Sequence, residues 1–325
     1  MLKHLDIKIA VVVPCYKVKK HILNVLDQMP DLVSTIYVVD DACPEGTGGV
    51  VEQLSNDKRV RVVRHEQNLG VGGAVMTGYA EAIKDGATII VKIDGDGQME
   101  PGLVPEFILP IVEGEADYTK GNRFYDLEEI RAMPNIRLFG NAALSLLTKI
   151  SSGYWNLFDP TNGYTAIHAD VAKKLPFKKI SSRYFFETDI LFRLNTLRAV
   201  VVDVPMDAKY QDEKSNLKIS KIMFEFLYKN IRNTWKRIFY NYYLRDLSLA
   251  SIELPLGLIL MVFGSSYGAY HWIISAQENI PAPAGTVMLA ALPLLVGLQL
   301  VLAFIGYDIS SIPRRIIHKR SFKNK

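Results

Sequence analysis

The chain has 325 residues, 49% of them hydrophobic and 22% charged, so it can bury a substantial core and is not an intrinsically disordered protein. Its two cysteines, Cys15 and Cys43, are too few for a disulfide framework and belong to no zinc-binding pattern, which favours a reducing compartment. The net charge of +4 is unevenly distributed, because residues 209–245 hold nine Lys and Arg against three Asp and Glu, and residues 309–325 hold six against none. Basic residues that flank hydrophobic sequence indicate a membrane surface and argue against a nucleic-acid partner.

The first 120 residues alternate short β-branched runs with helical stretches. The predicted strands are Lys8–Pro14, Thr35–Val39, Val60–Arg64 and Ala87–Ile93, and the helices between them are His21–Gln28, Gly48–Leu54 and Gly72–Lys84. No secretory signal is predicted, because the first apolar run is too short and has the pattern of a strand. The alternation predicts an α/β domain with a mostly parallel sheet that binds its ligands at the carboxyl ends of the strands.

Acidic side chains follow two of these strands. Asp94 and Asp96 come directly after the fourth strand, in the sequence KIDGDGQMEP, and Asp41 follows the second. Two carboxylates at this spacing can converge on Mg²⁺ or Mn²⁺, which prefer oxygen ligands and share them with substrate phosphates. Gln98 could add an amide oxygen. The alternative is an acidic β-turn without a ligand.

A glycine-rich segment, Asn68–Gly73, precedes the third helix. It lacks both the GxGxxG fingerprint after the first strand and a Walker lysine, so we interpret its glycines as permitting a tight turn and close packing of the helix on the sheet. The start of this helix also remains a candidate for contact with a donor diphosphate.

Residues Ser220–Tyr243 have the period of an amphipathic helix. The apolar face holds Ile222, Met223, Phe226, Leu227, Ile231, Trp235, Ile238 and Tyr242, and an opposite arc holds Lys221, Lys229, Arg232 and Lys236. Arg237 departs from the pattern. This favours a helix in the headgroup layer of a membrane, with a helix docked on the soluble domain as the alternative.

Two uncharged segments follow, of 24 residues between Glu253 and Glu278 and of 29 residues between Glu278 and Asp308. Since about 20 residues of helix span a bilayer, we predict transmembrane helices at Leu254–Ile274 and Thr286–Ile305, with a buried helical hairpin as the alternative. The connector 277–285 has no Lys or Arg whereas both outer flanks do, so the positive-inside rule places the large domain and both termini in the cytoplasm.

These motifs, in this order, resemble family 2 glycosyltransferases of GT-A fold, in the branch of dolichol-phosphate mannose synthase and bacterial polyprenyl-phosphate glycosyltransferases. The matching segments are VVVPCYK, VVDDACPEGT, NLGVGGAVMTGYAEA, KIDGDGQMEP, KGNRF and the DPTNGY of Asp159–Tyr164. The resemblance covers roughly residues 8–220 and extends to the two C-terminal spans. It implies a Rossmann-like GT-A catalytic domain at 1–219, an interfacial helix at 220–247 and a transmembrane region at 248–325.

The resemblance also implies roles for individual residues. The donor-site residues are Pro14, Tyr16, Asp41, Asp94, Gly95 and Asp96, and the metal ligands are Asp94, Asp96 and Gln98. Arg123 and Arg137 match positions that bind the acceptor phosphate, with ordinary surface cations as the alternative. Asp159 matches a catalytic base or acceptor-site acid and Asp96 joins it as a catalytic residue; the alternative for Asp159 is a turn residue before Pro160.

Two departures from the family are visible. Tyr16 is followed by Lys17-Val18 instead of Asn-Glu, and the late R-x-x-G-x-S motif is replaced by residues 210–217, where Lys214 and Ser215 are candidates for the lipid phosphate. Glu187 and Asp189 resemble an acidic pair after the acceptor region, and a structural role at a helix start is equally compatible with them.

The function implied is transfer of a hexose from a UDP- or GDP-linked sugar to undecaprenyl or dolichyl phosphate at the cell (inner) membrane, with inversion, Mg²⁺ or Mn²⁺ as cofactor and no nucleic-acid partner. A homo-oligomer is left open. The alternatives are a processive polysaccharide synthase, for which a Q-x-x-R-W motif is missing, and a non-catalytic nucleotide-binding membrane scaffold.

Overall fold

The computed structural model describes residues 7–125, 135–207 and 219–321, and of the helical residues 135–139, 219–222 and 320–321 it describes the backbone alone. Contacts divide the chain into two compact units. The first comprises residues 1–234 together with 313–325, and the second comprises residues 235–312.

The first unit is built on a seven-stranded sheet of order β3-β2-β1-β4-β6-β5-β7. Its strands are β1 Ile9–Cys15, β2 Thr35–Asp40, β3 Val60–Arg64, β4 Ile89–Lys92, β5 Tyr118–Asn122, β6 Thr165–His168 and β7 Val201–Pro205. β1 to β4 are parallel to one another, as are β5 and β7, whereas β6 is antiparallel to both of its neighbours. The mostly parallel sheet predicted from the sequence is therefore confirmed, and β6 is its one reversed strand.

Helices cover the faces of this sheet. They are α1 Ile22–Asp27, α2 Thr47–Leu54, α3 Val71–Lys84, α4 Val104–Glu113, α5 Asn135–Ser152, α6 Ala169–Ala172, α7 Phe186–Leu197 and α8 Ile219–Phe239. All seven residues of β1 are buried, because a parallel strand in the middle of a sheet is covered on both sides. A Cβ at Gly78 of α3 would collide with the side chain of Val12, so glycine is what allows this helix to approach β1.

α8 contacts the rest of the first unit through a narrow stripe. Asn230 and Asn233 are buried, and Phe226 packs edge-on against Phe185 with ring centroids 5.2 Å apart. Asn230 Oδ1 accepts a hydrogen bond from Ser151 of α5 (2.6 Å), and Asn233 Nδ2 donates to Asp189 of α7 (2.9 Å). Phe226, which the sequence pattern assigned to the free apolar face, therefore belongs to the docked stripe, while most of that face is exposed.

The second unit contains α9 Ala250–Glu278 and α10 Ala284–Ser310, each of which encloses one predicted span. Both are long and apolar enough to cross a membrane, with mean hydropathy of 1.4 and 2.5 over their most apolar windows, only 11% of which is buried. Cβ atoms at Gly257 and Gly297 would lie 2.9 and 2.7 Å from each other's main-chain oxygens, so glycine permits the two helices to touch there.

Arg237, the exception in the amphipathic pattern, is buried in the second unit. Its guanidinium makes two hydrogen bonds to Asp308, of 2.6 and 2.9 Å, and Tyr242 donates to the same carboxylate at 2.5 Å. A buried arginine needs such a partner, which explains why this position does not follow the solvated basic arc.

The C-terminal segment after Pro313 belongs to the first unit. Asp117, just before β5, is fully buried and accepts hydrogen bonds from the main-chain N–H groups of Ile317 (3.0 Å) and His318 (3.1 Å), with His318 Nδ1 at 2.8 Å. Burial alone raises the pKa of Asp117, but these hydrogen bonds outweigh it and hold the pKa below its ordinary value. The ring of His318 also stacks on His168, with centroids 4.3 Å apart.

Candidate active site

A cavity of about 500 Å³ opens at the carboxyl ends of β1, β2 and β4. Its lining comes from five segments of the chain that are separated in sequence. The lining residues are Pro14, Cys15, Tyr16, Val18, Asp41, Asn68, Gly70, Val71, Ala74, Asp94, Gly95, Asp96, Arg183, Tyr184 and Glu187. All six residues that the resemblance assigned to the donor line this one cavity.

Asp94 and Asp96 lie in the turn after β4 and are both partly exposed to the cavity. One oxygen of Asp94 lies 2.8 Å from Lys92 Nζ, and one oxygen of Asp96 accepts the main-chain N–H of Gln98 at 3.0 Å. Gly95 is buried between them, where a Cβ would lie 3.1 Å from Val18. The turn therefore holds both carboxylates at the cavity while each uses only one oxygen in these contacts.

A divalent metal suits this donor set. The described residues contain no group of three or more His, Cys, Asp or Glu side chains placed to enclose a metal. Mg²⁺ and Mn²⁺ do not require such a cage, because they commonly take one or two carboxylates and complete their shell with water and substrate phosphates. Gln98 donates through its main chain to Asp96, and it is not among the residues that line the cavity.

Two fully buried lysines lie beneath the cavity. Lys92 Nζ is 2.8 Å from Asp94 and 3.6 Å from Glu187. Burial alone lowers the pKa of Lys92, but these two carboxylates outweigh it and raise the pKa above its ordinary value. Lys120 of β5 donates to the main-chain oxygen of Asn162, and burial lowers its pKa to about 8. Lys92 is therefore a buried cation that compensates the negative charge of Asp94 and Glu187.

Asp41 has its carboxylate occupied by protein groups. Oδ1 accepts the main-chain N–H of Leu69 at 2.8 Å and lies 2.7 Å from His65 Nδ1, and Oδ2 accepts the N–H of Gly70 at 2.7 Å. These bonds fix the glycine-rich segment to the end of β2. Gly70 has φ of +89°, a conformation that favours glycine, which agrees with the tight turn predicted at this position.

Arg123, whose side chain is 29% exposed, forms an ion pair with the buried carboxylate of Asp159. Asp159 is fully buried; its Oδ2 accepts from Arg123 Nε at 2.7 Å and its Oδ1 from Arg123 Nη2 at 3.1 Å. The hydroxyl of Thr161 adds a hydrogen bond of 3.2 Å to the same carboxylate. Segment 159–164 also passes close to the metal-site turn, since a Cβ at Gly163 would lie 2.7 Å from Asp94 Oδ2.

The structure brings together one group of predicted residues and leaves another undescribed. Lys214 and Ser215 lie outside the described residues, and the side chain of Arg137 is likewise not described, although its backbone is part of α5. Their predicted contact with an acceptor phosphate therefore stays a prediction. Asp189 is buried and accepts the main-chain N–H of Ser181 at 2.8 Å, which is a structural contact in the first turn of α7.

Sequence reasoning missed the contribution of the turn before α7. Arg183 and Tyr184 line the cavity together with Glu187, although they follow the acidic turn by more than 80 residues in the sequence. The available signal was a charged and aromatic pair, RY, directly before an apolar helix start. Such a pair is also common on ordinary surfaces, so only the fold reveals its position.

Comparison with known proteins identifies the family. The profile described as Glycosyl transferase family 2 matches residues 10–176. The chain is 29% identical over 221 residues to UDP-N-acetylglucosamine–dolichyl-phosphate N-acetylglucosaminyltransferase of Methanococcus voltae, an alignment that covers 64% of this chain and 88% of the relative. It is 30% identical over 203 residues to undecaprenyl-phosphate mannosyltransferase of Micrococcus luteus, covering 61% of this chain and 82% of that protein.

The fold also has solved counterparts. Glucosyl-3-phosphoglycerate synthase of Mycobacterium tuberculosis, solved with Mn²⁺, UDP and glucosyl-3-phosphoglycerate, superimposes with a TM-score of 0.54 at 20% identity, covering 71% of this chain and 80% of that one. The GT-A-like fold expected from the sequence is thereby confirmed. With half of its length matched by the profile and a sheet of this topology, the chain belongs to glycosyl transferase family 2 and is a glycosyltransferase.

Proposed function

We propose that this glycosyltransferase is membrane-bound and moves a hexose, with inversion, from a UDP- or GDP-linked sugar to a polyprenyl phosphate such as undecaprenyl or dolichyl phosphate. The observation that carries the proposal is the cavity of about 500 Å³ into which Asp94 and Asp96 project, at the edge where parallel sheets bind nucleotides. The names of the two relatives, which transfer sugars to dolichyl or undecaprenyl phosphate, support the choice of acceptor.

The donor occupies the cavity in this proposal, and Mg²⁺ or Mn²⁺ is its cofactor. Asp94 and Asp96 hold the metal, which when bound supplies positive charge to the departing nucleoside diphosphate. Lys92 keeps Asp94 in position from below, because its ammonium is buried and cannot leave the site. Gln98 contributes through its main-chain bond to Asp96.

The acceptor needs little activation. A phosphomonoester has a second pKa near 6, so at neutral pH it is already an anionic nucleophile. One of its oxygens forms the bond to the anomeric carbon as the bond from that carbon to the diphosphate breaks, and no proton has to be removed. Attack from the face opposite the leaving group inverts the anomeric centre.

Asp159 has a positioning role in this scheme. Because it is fully buried and binds Arg123 through both oxygens, it orients the guanidinium instead of accepting a proton from the acceptor. Arg123 then offers charge and a planar donor group to the lipid phosphate. Arg137, Lys214 and Ser215 complete the proposed acceptor site.

The membrane part of the proposal concerns α9 and α10. Both have the length and hydropathy of spans. Basic residues lie before α9 and after α10, whereas the connector between the two helices has none. We place the catalytic unit and both termini on the cytoplasmic side of the cell (inner) membrane, where nucleotide sugars are available, in agreement with the positive-inside rule. The exposed apolar residues of α8 then contact the headgroup layer.

The test is a transfer assay with the purified full chain in detergent. UDP- and GDP-linked hexoses are each offered with a short-chain polyprenyl phosphate and Mn²⁺ or Mg²⁺, and products are identified by mass spectrometry. The expected product is a polyprenyl phosphate carrying one hexose, formed only with metal. The matched control is Glu52→Gln, a surface acid on α2 that pairs with Arg64 away from the cavity.

Other products would identify the rival functions. A polymer of many sugar units would indicate a processive synthase, and binding of nucleotide sugar without any turnover would indicate a scaffold. Either result contradicts the proposed reaction.

A further inference from the structure

The turn at residues 181–185 brings one cation to the acidic cavity. Among the described residues that line it, Arg183 is the only Lys or Arg. We propose that the Arg183 guanidinium binds the diphosphate of the nucleotide-sugar donor. This inference rests on the function proposed above and assigns the donor site a residue that neither its acidic motif nor its glycine-rich segment contains.

The Arg183 side chain is available for a ligand. It is exposed, and in the described parts of the chain it makes no ion pair or hydrogen bond. Arg123 differs, because two of its nitrogens already bind Asp159. Lys92, one of the two buried lysines beneath the cavity, is paired with Asp94, so it compensates the charge of the protein and does not contact the donor.

Part of the phosphate-binding capacity at the start of α3 is already used by the protein. Helix N-termini commonly bind phosphates through unpaired main-chain N–H groups. Here the N–H groups of Leu69 and Gly70 already donate to Asp41, and that of Gly73 donates to the main-chain oxygen of Ser182 at 3.1 Å. At the helix start the N–H groups of Gly70 and Gly73 are therefore already satisfied by the protein itself, as is that of Leu69 just before it.

The backbone of the turn is held in place on both sides. Towards α3 it lies so close that a Cβ at Gly70 would be 2.6 Å from the oxygen of Ser182 and 2.9 Å from Cγ of Arg183. Towards α7, the N–H of Ser181 donates to Asp189, whose other oxygen accepts from Asn233 of α8. The arginine is thus attached to a fixed support, which lowers the entropy lost when its side chain binds.

The charge of the site requires a cation beyond one metal ion. Asp41, Asp94, Asp96 and Glu187 line the cavity, the two buried lysines Lys92 and Lys120 lie beneath it, and a nucleotide sugar adds two negative charges on its diphosphate. When the bond from the anomeric carbon to the diphosphate oxygen breaks, that oxygen takes the electron pair and the negative charge grows. A planar guanidinium can bind two phosphate oxygens and stabilise this charge.

Calorimetry with the full chain in detergent and Mn²⁺ tests the proposal. UDP, GDP and the corresponding monophosphates UMP and GMP are titrated into wild type, Arg183→Ala, Arg183→Lys and the control Arg61→Ala, which removes an exposed arginine paired with Asp85 outside the cavity. We expect Arg183→Ala to weaken binding of the preferred diphosphate by roughly ten- to a hundred-fold and of the monophosphate by less than about three-fold. Lysine should recover part of the loss, since it supplies charge without the fork.

Two results would overturn the inference. One is diphosphate affinity in Arg183→Ala within about two-fold of wild type. The other is an equal loss for diphosphate and monophosphate, which would place the arginine at the nucleoside or give it a shaping role only. Thermal unfolding of each variant checks that it is folded, and Arg183→Gln replaces the alanine variant if that one is not.

The same experiments separate this inference from the proposed function. If wild type forms the lipid-linked sugar but Arg183→Ala binds diphosphate normally, the result contradicts the inference about Arg183 and leaves the proposed function intact. If wild type binds neither UDP nor GDP, the donor site and the inference built on it fall together.

Discussion

Replacing Arg123 with alanine should affect stability as well as activity. The change leaves the fully buried carboxylate of Asp159 without the two hydrogen bonds that the guanidinium donates. Loss of one partner of a buried ion pair typically costs about 3–5 kcal/mol. Thr161 and the main-chain N–H of residue 123 still contact the carboxylate, at 3.2 and 3.4 Å, so we expect the lower end, about 3 kcal/mol.

Thermal unfolding of the detergent-solubilised chain measures this effect. For a unit of this size, about 3 kcal/mol corresponds to a decrease in Tm of roughly 6–12 °C. Asp159→Asn removes the buried charge, so the double variant with Arg123→Ala should recover a large part of the lost Tm. The coupling between the two positions, taken from the double-mutant cycle, isolates the ion pair from other effects.

Activity should behave differently from stability in the same set. Arg123→Ala should weaken use of polyprenyl phosphate by roughly ten- to a hundred-fold while nucleotide binding stays near wild type, because the proposed function assigns the guanidinium to the acceptor side. The double variant should remain as poor with acceptor although its Tm recovers. An Arg123→Ala protein that melts within about 1 °C of wild type would refute the reasoning about the buried pair.

Three further expectations follow from other parts of the chain. Asp96→Asn should reduce transfer to background while Tm stays close to wild type, because one anionic ligand of a hard cation is lost; unchanged turnover and metal dependence would contradict the metal assignment. Burial lowers the pKa of His168 from 6.5 to about 4, so its contribution to the free energy of unfolding is complete above pH 6.5 and decreases as the pH drops towards 4. The free energy of unfolding should therefore change between pH 8 and pH 5 by about 2 kcal/mol more in wild type than in His168→Gln. A cysteine at Ala282, between α9 and α10, should react with an impermeant maleimide only from the side opposite the catalytic unit, and labelling from the cytoplasmic side alone would contradict the orientation.

Three strands in the first half of the sheet, β1, β2 and β4, were predictable because they are buried on both faces. β1, β2 and β4 appear in the sequence as continuous apolar runs rich in Val and Ile, a pattern that is typical of buried parallel strands. β5 has no such signal: its sequence is YTKGN, and its buried lysine is tolerated only because its ammonium reaches the main-chain oxygen of Asn162. That oxygen lies 42 residues further along the chain, so the pattern of β5 alone does not reveal the strand.

The candidate site likewise contains residues that the sequence reveals and residues that only the fold reveals. The acidic turn at Asp94 and Asp96 is visible because both of its ligands lie within three residues after a strong strand signal. The pairing of Arg123 with Asp159 joins residues 36 positions apart, and the resemblance assigned both to the acceptor without indicating that they bind each other. Arg183 becomes part of the cavity only through the approach of its turn to Gly70.

The sequence of α8 shows why one helix can have both a docked face and an exposed apolar face. Phe226, Asn230 and Asn233 recur at intervals of four and three residues and form the stripe that contacts α5 and α7. Met223, Leu227 and Ile231 lie on the neighbouring face and are 60%, 40% and 50% exposed. A docked face made of leucines would have merged with this exposed face and left the orientation of the helix weakly specified.

Asparagines specify the docked stripe by hydrogen bonds instead. Asn230 binds Ser151, and Asn233 binds the carboxylate of Asp189, which also fixes the turn that carries Arg183. A rotation of the helix by one residue would leave these buried polar groups without partners, at a cost of about 1–3 kcal/mol each. The apolar face is therefore directed away from the rest of the first unit by the polar stripe, and the same contact that orients α8 supports the turn that carries Arg183 at the cavity.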